Sequence, residues 1–158
     1  MNWQEICEHP ELKNLPFKIE LNERGQIVMS PVKVIHSLRA AKVAHLLKLH
    51  IQTGEVLTEC AIATPKGTKV ADVAWVSPGR LKRVRDEIEC SIAPEIRVEI
   101  PSMSNLDSEM VEKRSLYFQS GADEVWTCDE GGLMAIYGPA GKRDRSDRAP
   151  DFPSRIDV

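Results

Sequence analysis

Asp72, Glu99 and Lys113 are polar residues set into segments patterned for burial. Asp72 interrupts KVADVAWV, Glu99 interrupts PEIRVEIP, and Lys113 lies in the helical run SNLDSEMVEKRSLYFQSG. Carboxylate oxygens are hard ligands suited to magnesium or manganese. Magnesium takes one or two protein carboxylates and leaves its other positions to water and substrate phosphate. A metal held by two acids can polarise a phosphodiester and lower the pKa of an attacking water, while a lysine orients that water and offsets developing charge. Two acids and a lysine therefore suggest a metal site, and phosphodiester hydrolysis is its natural chemistry.

The acids come from strands. Val70, Val73 and Val76 with Ala71, Ala74 and Trp75 form a short β-rich block, and Ile96, Val98 and Ile100 alternate with Glu95, Arg97 and Glu99 at a period of two. The lysine comes from a helix with Ser104 and Asn105 as N-cap candidates, Asp107 in the first turn and Gly121 as its stop. Leu106, Met110, Lys113 and Tyr117 share one face, which aims the ammonium where the apolar residues are aimed. A lysine so placed costs free energy unless it finds an anion.

The succession VADVAWVS, PEIRVEIPSMS and EKRSLYFQSGADEVWTCD resembles the putative restriction endonuclease family of the PD-(D/E)XK nuclease superfamily. Upstream, FKIELNERGQIVMSP followed by His36 resembles that family's opening hairpin and first long helix, and APDFPSRIDV resembles its final strand. The resemblance covers most of the chain. It implies that Asp72 and Glu99 are metal ligands for Mg2+ or Mn2+, Lys113 the catalytic lysine and Glu20 an accessory acid near the metal. It also implies a restriction-endonuclease-like α/β core, a mixed β-sheet flanked by helices in the order α-β-β-β-α-β. Two positions depart from the superfamily pattern. Pro101 stands where a lysine usually follows the second acid, so the helix must supply the lysine, and Ala71 replaces the proline of the PD pair.

Each of these residues also has an ordinary structural explanation. An aspartate such as Asp72 often caps or bonds a turn, and the same applies to Glu99. Lys113 can snorkel at the edge of its face, and Glu20 can be a solvent-facing strand residue. His36 resembles a family histidine, but by position a hydrogen bond at a helix boundary explains it. His45 and His50 read as structural.

The 158 residues fit one domain, 1–158, of ordinary globular composition, 42% hydrophobic and 28% charged. No apolar run reaches the length of a membrane span and no secretory signal pattern opens the chain, so a cytoplasmic protein is expected. Cys7, Cys60, Cys90 and Cys128 lack ligand spacing and read as reduced, buried thiols. The net charge of −3 disfavours non-specific nucleic-acid binding. Two local basic clusters remain, Arg80, Lys82, Arg83 and Arg85, then Lys142, Arg143, Arg145 and Arg148.

In chain order, residues 2–14 read as a short helix interrupted by Pro10, and 17–21 with 26–29 as a hairpin turned by Gly25. Ser30 and Pro31 announce a long helix to about Gln52, with Ile35, Leu38, Ala41, His45 and Leu49 as its core stripe. Residues 55–63 and 69–76 form a second hairpin, and 77–93 an irregular linker with one helical turn; Glu89 in it and Glu95 after it are decoy acids. Strands at 124–128 and 133–137 follow. A mobile Pro- and Gly-rich loop then leads to a terminal strand, 154–158. The leading expectation is a metal-dependent DNA endonuclease, acting as a homodimer because duplex cleavage with one site per chain calls for symmetry. The alternatives are a catalytically inactive nucleic-acid-binding or assembly protein that kept the fold, and a dimer whose charged trio is an ion-pair network.

Overall fold

The computed structural model describes residues 1–102 and 107–158; the N-cap candidates Ser104 and Asn105, and Leu106, lie outside them. The elements are α1 (Trp3–Glu8), β1 (Phe17–Leu21), β2 (Ile27–Pro31), α2 (Val34–His50), β3 (Glu55–Thr64), β4 (Gly67–Val76), α3 (Pro78–Val84), β5 (Ile96–Glu99), α4 (Asp107–Gln119), β6 (Glu124–Cys128), β7 (Met134–Gly138) and β8 (Gly141–Arg143). Six strands form one mixed sheet in the order β3-β4-β5-β6-β7-β8, parallel at β5–β6 and antiparallel elsewhere. With the short α3 inserted between β4 and β5, the run α2-β3-β4-β5-α4-β6 follows the expected α-β-β-β-α-β order. The β1–β2 hairpin pairs as a separate two-stranded sheet and lies against β4.

Both faces of the sheet are covered, which is why β5 is buried at all four positions despite its alternating polarity. On one face Val43, Leu47 and Ile51 from α2 and its end pack on Val73, Trp75, Ile96, Val98 and Trp126. On the other, Tyr117 of α4 and Val84 of α3 pack on Ala71, Ala74 and Val125. Full burial of a side chain such as Leu47 stabilises the fold by about 1.5–3 kcal/mol. Helix α4 ends in a Schellman arrangement: Ala122 N–H donates to Tyr117 O at 3.0 Å and Gly121 N–H to Phe118 O at 3.1 Å, with Gly121 at φ +103°.

Several expectations need correcting. Ser30 and Pro31 belong to β2, and α2 starts at Val34 behind Lys33, which gives no side-chain cap. The stripe Ile35, Leu38, Ala41, His45 and Leu49 is exposed. The inward face is His36, Ala40, Val43 and Leu47, because this helix carries apolar residues on both sides and tertiary packing selects one. Helix α1 ends at Glu8, Cys7 is exposed, and α3 is a seven-residue helix capped by Ser77.

The segment expected to be a mobile loop is tied down. It opens with β8, paired to β7 through Gly138 and Gly141. Buried Glu124 accepts Asp147 N–H at 2.7 Å and Trp126 Nε1–H at 2.8 Å. Phe152 meets the Trp126 ring edge-on at 4.8 Å. Residues 154–158 are not a strand: an isolated bridge pairs Arg155 with Leu133, just before β7, Met134 N–H donates to Ser154 O at 2.9 Å, and Ile156 N–H donates to Gly132 O at 2.7 Å.

Candidate active site

The β4–β5 ladder stops at Val73 and Val98, and the strands part where Asp72 and Glu99 follow. In place of the next rung, Ile100 N–H donates to Asp72 Oδ2 at 2.7 Å. Both carboxylates are almost fully buried, at 5% and 4% exposure. Burial of two acids demands cations and donors, and three further elements supply them.

The β1–β2 hairpin brings Lys18 and Glu20. Gly67, at φ +84°, makes the docking possible, since a Cβ there would overlap the carbonyl oxygens of Leu21 and Asn22. Lys69 Nζ donates to Leu21 O at 3.0 Å and Glu20 Oε1 accepts Val70 N–H at 2.8 Å. Lys18 Nζ then lies 2.8 Å from Asp72 Oδ1, 3.7 Å from Glu99 Oε2 and 3.9 Å from Glu20 Oε1. Helix α4 delivers Lys113, whose Nζ lies 3.0 Å from Glu99 Oε2 and 2.8 Å from Glu20 Oε1. Tyr117, one turn on, donates its hydroxyl to Glu99 Oε1 at 2.7 Å. The first turn of α2 places His36 Nε2 3.3 Å from Asp72 Oδ1.

The four expected residues Asp72, Glu99, Lys113 and Glu20 are thus brought together, and Lys113 reaches the acids across the gap left by Pro101. His36 is turned to Asp72 and not to a helix-boundary partner. Sequence reasoning missed Lys18 altogether. The available signal was its place two residues before Glu20, on the same side of a strand. It also counted Tyr117 only as an apolar neighbour of Lys113. The decoys have other duties: Glu95 accepts Ser77 N–H at 2.9 Å and lies 3.4 Å from Arg80, and Glu89 accepts the Thr68 hydroxyl at 2.6 Å. Arg80 also donates to Ala93 O and Gly121 O, so it is a structural residue and not a member of a solvated basic loop.

The charges shape one another. Burial opposes ionisation of Asp72, but His36 and Lys18 overcome it and hold its carboxyl well below the usual range. Glu20 is likewise penalised by burial and lowered by Lys113 and Lys18. Burial works against the Lys18 and Lys113 ammonium groups, yet Glu99 and the neighbouring acids raise both. The hydrogen bond to Asp72 raises His36 against its own burial. Burial and the charge of Glu99 push the Tyr117 phenol well up, so it stays a hydrogen-bond donor.

Hard oxygen donors converge here from Asp72 and Glu99, with Glu20 beside them, and that chemistry fits a magnesium or manganese ion. Lys18 Nζ lies within 4 Å of an oxygen of each of these acids. Among the described residues no group of three or more His, Cys, Asp or Glu side chains is spaced to enclose a metal by itself.

The sequence profile of a family described as putative restriction endonuclease (Uma2) matches residues 3–151. The chain belongs to this family. A crystal structure of a putative nuclease belonging to DUF820, from Anabaena variabilis, resembles it with a TM-score of 0.68 at 18% identity, covering 88% of this chain and 80% of that one. At that identity the likeness shows a shared fold. No curated protein matches the chain. Membership of the putative restriction endonuclease family accords with the acid, acid, lysine set and gives the chain a nuclease-like character. No helix among the described residues is long and apolar enough to cross a membrane.

Proposed function

We propose that the chain is a metal-dependent DNA endonuclease that hydrolyses phosphodiester bonds. The observation that carries the reading is the convergence of Asp72, Glu99 and Glu20, from three different strands, on the ammonium groups of Lys18 and Lys113 within 4 Å. Asp72 and Glu99 would hold Mg2+ or Mn2+, which when bound polarises the phosphate and acidifies water. Lys113 orients the attacking water and offsets the charge that builds on phosphate oxygens. Glu20 fixes the Lys113 ammonium from its other side, and Tyr117 and Ile100 N–H hold the two acids in orientation. Lys18, paired to all three acids, balances their charge and would give way if that cation bound.

The chain would work as a single cytoplasmic domain, and as a homodimer when it cuts both strands of a duplex. Val34, Leu38 and Leu49 of α2 and Met29 of β2 are each at least half exposed, apolar surface that a second copy could cover.

The test is incubation of the purified protein with supercoiled and linear DNA in manganese, magnesium or chelator, beside Asp72→Ala and Lys113→Ala. Cleavage that needs metal and is lost in both variants is expected. A wild-type preparation that binds manganese by calorimetry yet cuts neither form overturns the reading in favour of an inactive binding or assembly protein. The placement of Lys18 favours a further reading, an ion-pair network without metal, and absence of any manganese or magnesium binding would establish that one.

A further inference from the structure

Phosphodiester chemistry leaves unused a second buried cluster, on the face of the sheet covered by α3 and α4. Arg97, in the middle of β5, has no exposed surface, and among the described residues its Nε, Nη1 and Nη2 meet no hydrogen-bond acceptor. Its guanidinium lies over the Tyr117 ring, 3.9 Å from the centroid. Stacking of that kind offsets part of the cost of desolvating the cation. An unpaired buried cation costs more than stacking returns. The fold therefore calls for an anion beside Arg97.

Two thiols stand where that anion can form. Cys60 lies on β3, and Cys90 lies in the linker before β5, with the sulfurs 3.6 Å apart. The closeness is built in. Cys90 N–H donates to Ala61 O at 2.9 Å and Ala63 N–H donates to Cys90 O at 3.0 Å, which clamps the linker alongside the outer edge of β3. The hydrogen bond shared with Cys90 lowers the Cys60 thiol, burial opposes it, and the charge of Arg97 lowers it further. Cys90 moves the other way, raised by that same bond and by burial. The pair is asymmetric, with Cys60 as nucleophile and Cys90 as the reserve thiol.

The pair is also reachable. Cys60 and Cys90 line a cleft of about 220 Å³ with the apolar side chains of Leu57 and Val84, and Arg85, Glu87 and Ile88 at its margin are exposed. Both residues are buried, at 7% and 8% exposure, and the cleft is what brings solvent-sized molecules to them.

We infer that Cys60 and Cys90 form a second reactive site, a dithiol that low-molecular-weight disulfides oxidise through this cleft to a Cys60–Cys90 disulfide. The Cys60 thiolate sulfur attacks one sulfur of the external disulfide, whose S–S bond breaks and releases one half as a thiolate. That thiolate takes the Cys90 proton. Cys90 sulfur then attacks Cys60 sulfur and expels the second half as a thiolate, which takes the proton that Cys60 had given up. The cysteines lose two electrons and two protons, and the external disulfide becomes two thiols. The reaction removes the anion beside Arg97, whose guanidinium stacks on Tyr117, the residue bonded to Glu99.

The test uses the full chain carrying Cys7→Ser, an exposed position, so that Cys60, Cys90 and Cys128 are the remaining thiols. The native protein is equilibrated with oxidised and reduced glutathione, quenched by alkylation and read by intact and peptide mass. The expected result is a fall from three alkylatable thiols to one, loss of two hydrogens and a cross-link joining the peptides of Cys60 and Cys90. Adding Cys90→Ser should halt the reaction at a glutathione adduct on Cys60, and adding Arg97→Met should slow adduct formation by roughly tenfold. Three thiols that persist in excess oxidised glutathione, or a first adduct on Cys128, overturn the inference. Its failure would leave the nuclease reading untouched, because no step of DNA cleavage uses these thiols.

Discussion

Replacing Lys18 with methionine keeps the apolar stem and removes the charge that sits among three acids. At an effective dielectric constant near 20, its contacts at 2.8, 3.7 and 3.9 Å are worth about 6, 4.5 and 4 kcal/mol before other effects. Desolvation of each ion, several kcal/mol, and repulsion from Lys113 cancel most of that sum. What remains on removing one partner of a buried pair is about 3–5 kcal/mol. For a chain of this size that corresponds to a fall in Tm of roughly 6–20 °C at neutral pH.

The sign of the pH dependence follows from the shifts. Lys18 has a raised pKa, so its contribution is complete below 10.5 and is lost only as pH rises through the still higher folded value. Asp72 and Glu20 have lowered values, so their contribution is present above 3.8 and 4.5 and is lost as pH falls through the folded values. The gap between wild type and Lys18→Met should therefore be full at pH 7 and shrink under acid conditions, where the variant's unpaired carboxylates protonate. Under the proposed function the variant should also respond more to manganese, because no ammonium must leave first. Manganese at a hundred times its Kd returns about 2.7 kcal/mol. Thermal unfolding by circular dichroism at pH 7 and pH 4, with manganese or chelator, reads all of this. A Tm loss below about 3 °C at pH 7 would refute the electrostatic reasoning, and equal manganese responses in both proteins would refute the cation position assigned to Lys18.

His36→Ala should cost about 1 kcal/mol below pH 6.5 and progressively less as pH rises through the raised folded pKa, read by urea unfolding at pH 6 and pH 9. Tyr117→Phe leaves Glu99 Oε1 without its hydroxyl donor and should destabilise by about 1–3 kcal/mol while sparing the ring under Arg97, measured by the same unfolding. Gly67→Ala forces an L side chain into positive φ against the carbonyls of Leu21 and Asn22. It should cost more than about 2 kcal/mol and raise hydrogen exchange in the β1–β2 hairpin, since that hairpin rests on the glycine.

Asp72, Glu99 and Lys113 were legible because each breaks a locally apolar pattern, and a break in pattern needs only neighbours to be seen. The order of α2, β3, β4, β5, α4 and β6 was legible for the same reason. Lys18 was not, because a lysine between Phe17 and Ile19 looks solvated until the hairpin folds over β4, a contact fifty residues distant in sequence. The inward face of α2 was ambiguous since Ile35 and Leu38 compete locally with Ala40 and Val43, and only the sheet decides between them. Residues 144–153 carry the composition of a loop, and what orders them is buried Glu124, reached by main-chain and side-chain bonds that composition does not encode. Arg97 sits at an outward-reading position of an alternating strand, but α4 covers that side too.

The charge count at the site ties these pieces to the proposed chemistry. Three carboxylates against two ammonium groups leave one negative charge when His36 is neutral and none when it is protonated. The site therefore comes close to neutrality by its own side chains, which explains how Asp72 stays ionised while buried. Exchange of the Lys18 ammonium for a divalent cation would bring the sum from one negative charge to zero with His36 neutral. With His36 neutral, loss of Lys113 leaves it negative before and after that exchange, as a site that must approach a phosphodiester cannot afford. The hairpin lysine and the helix lysine are consequently unequal: one balances the empty site, the other is needed in both states, and only the second should prove indispensable for cleavage.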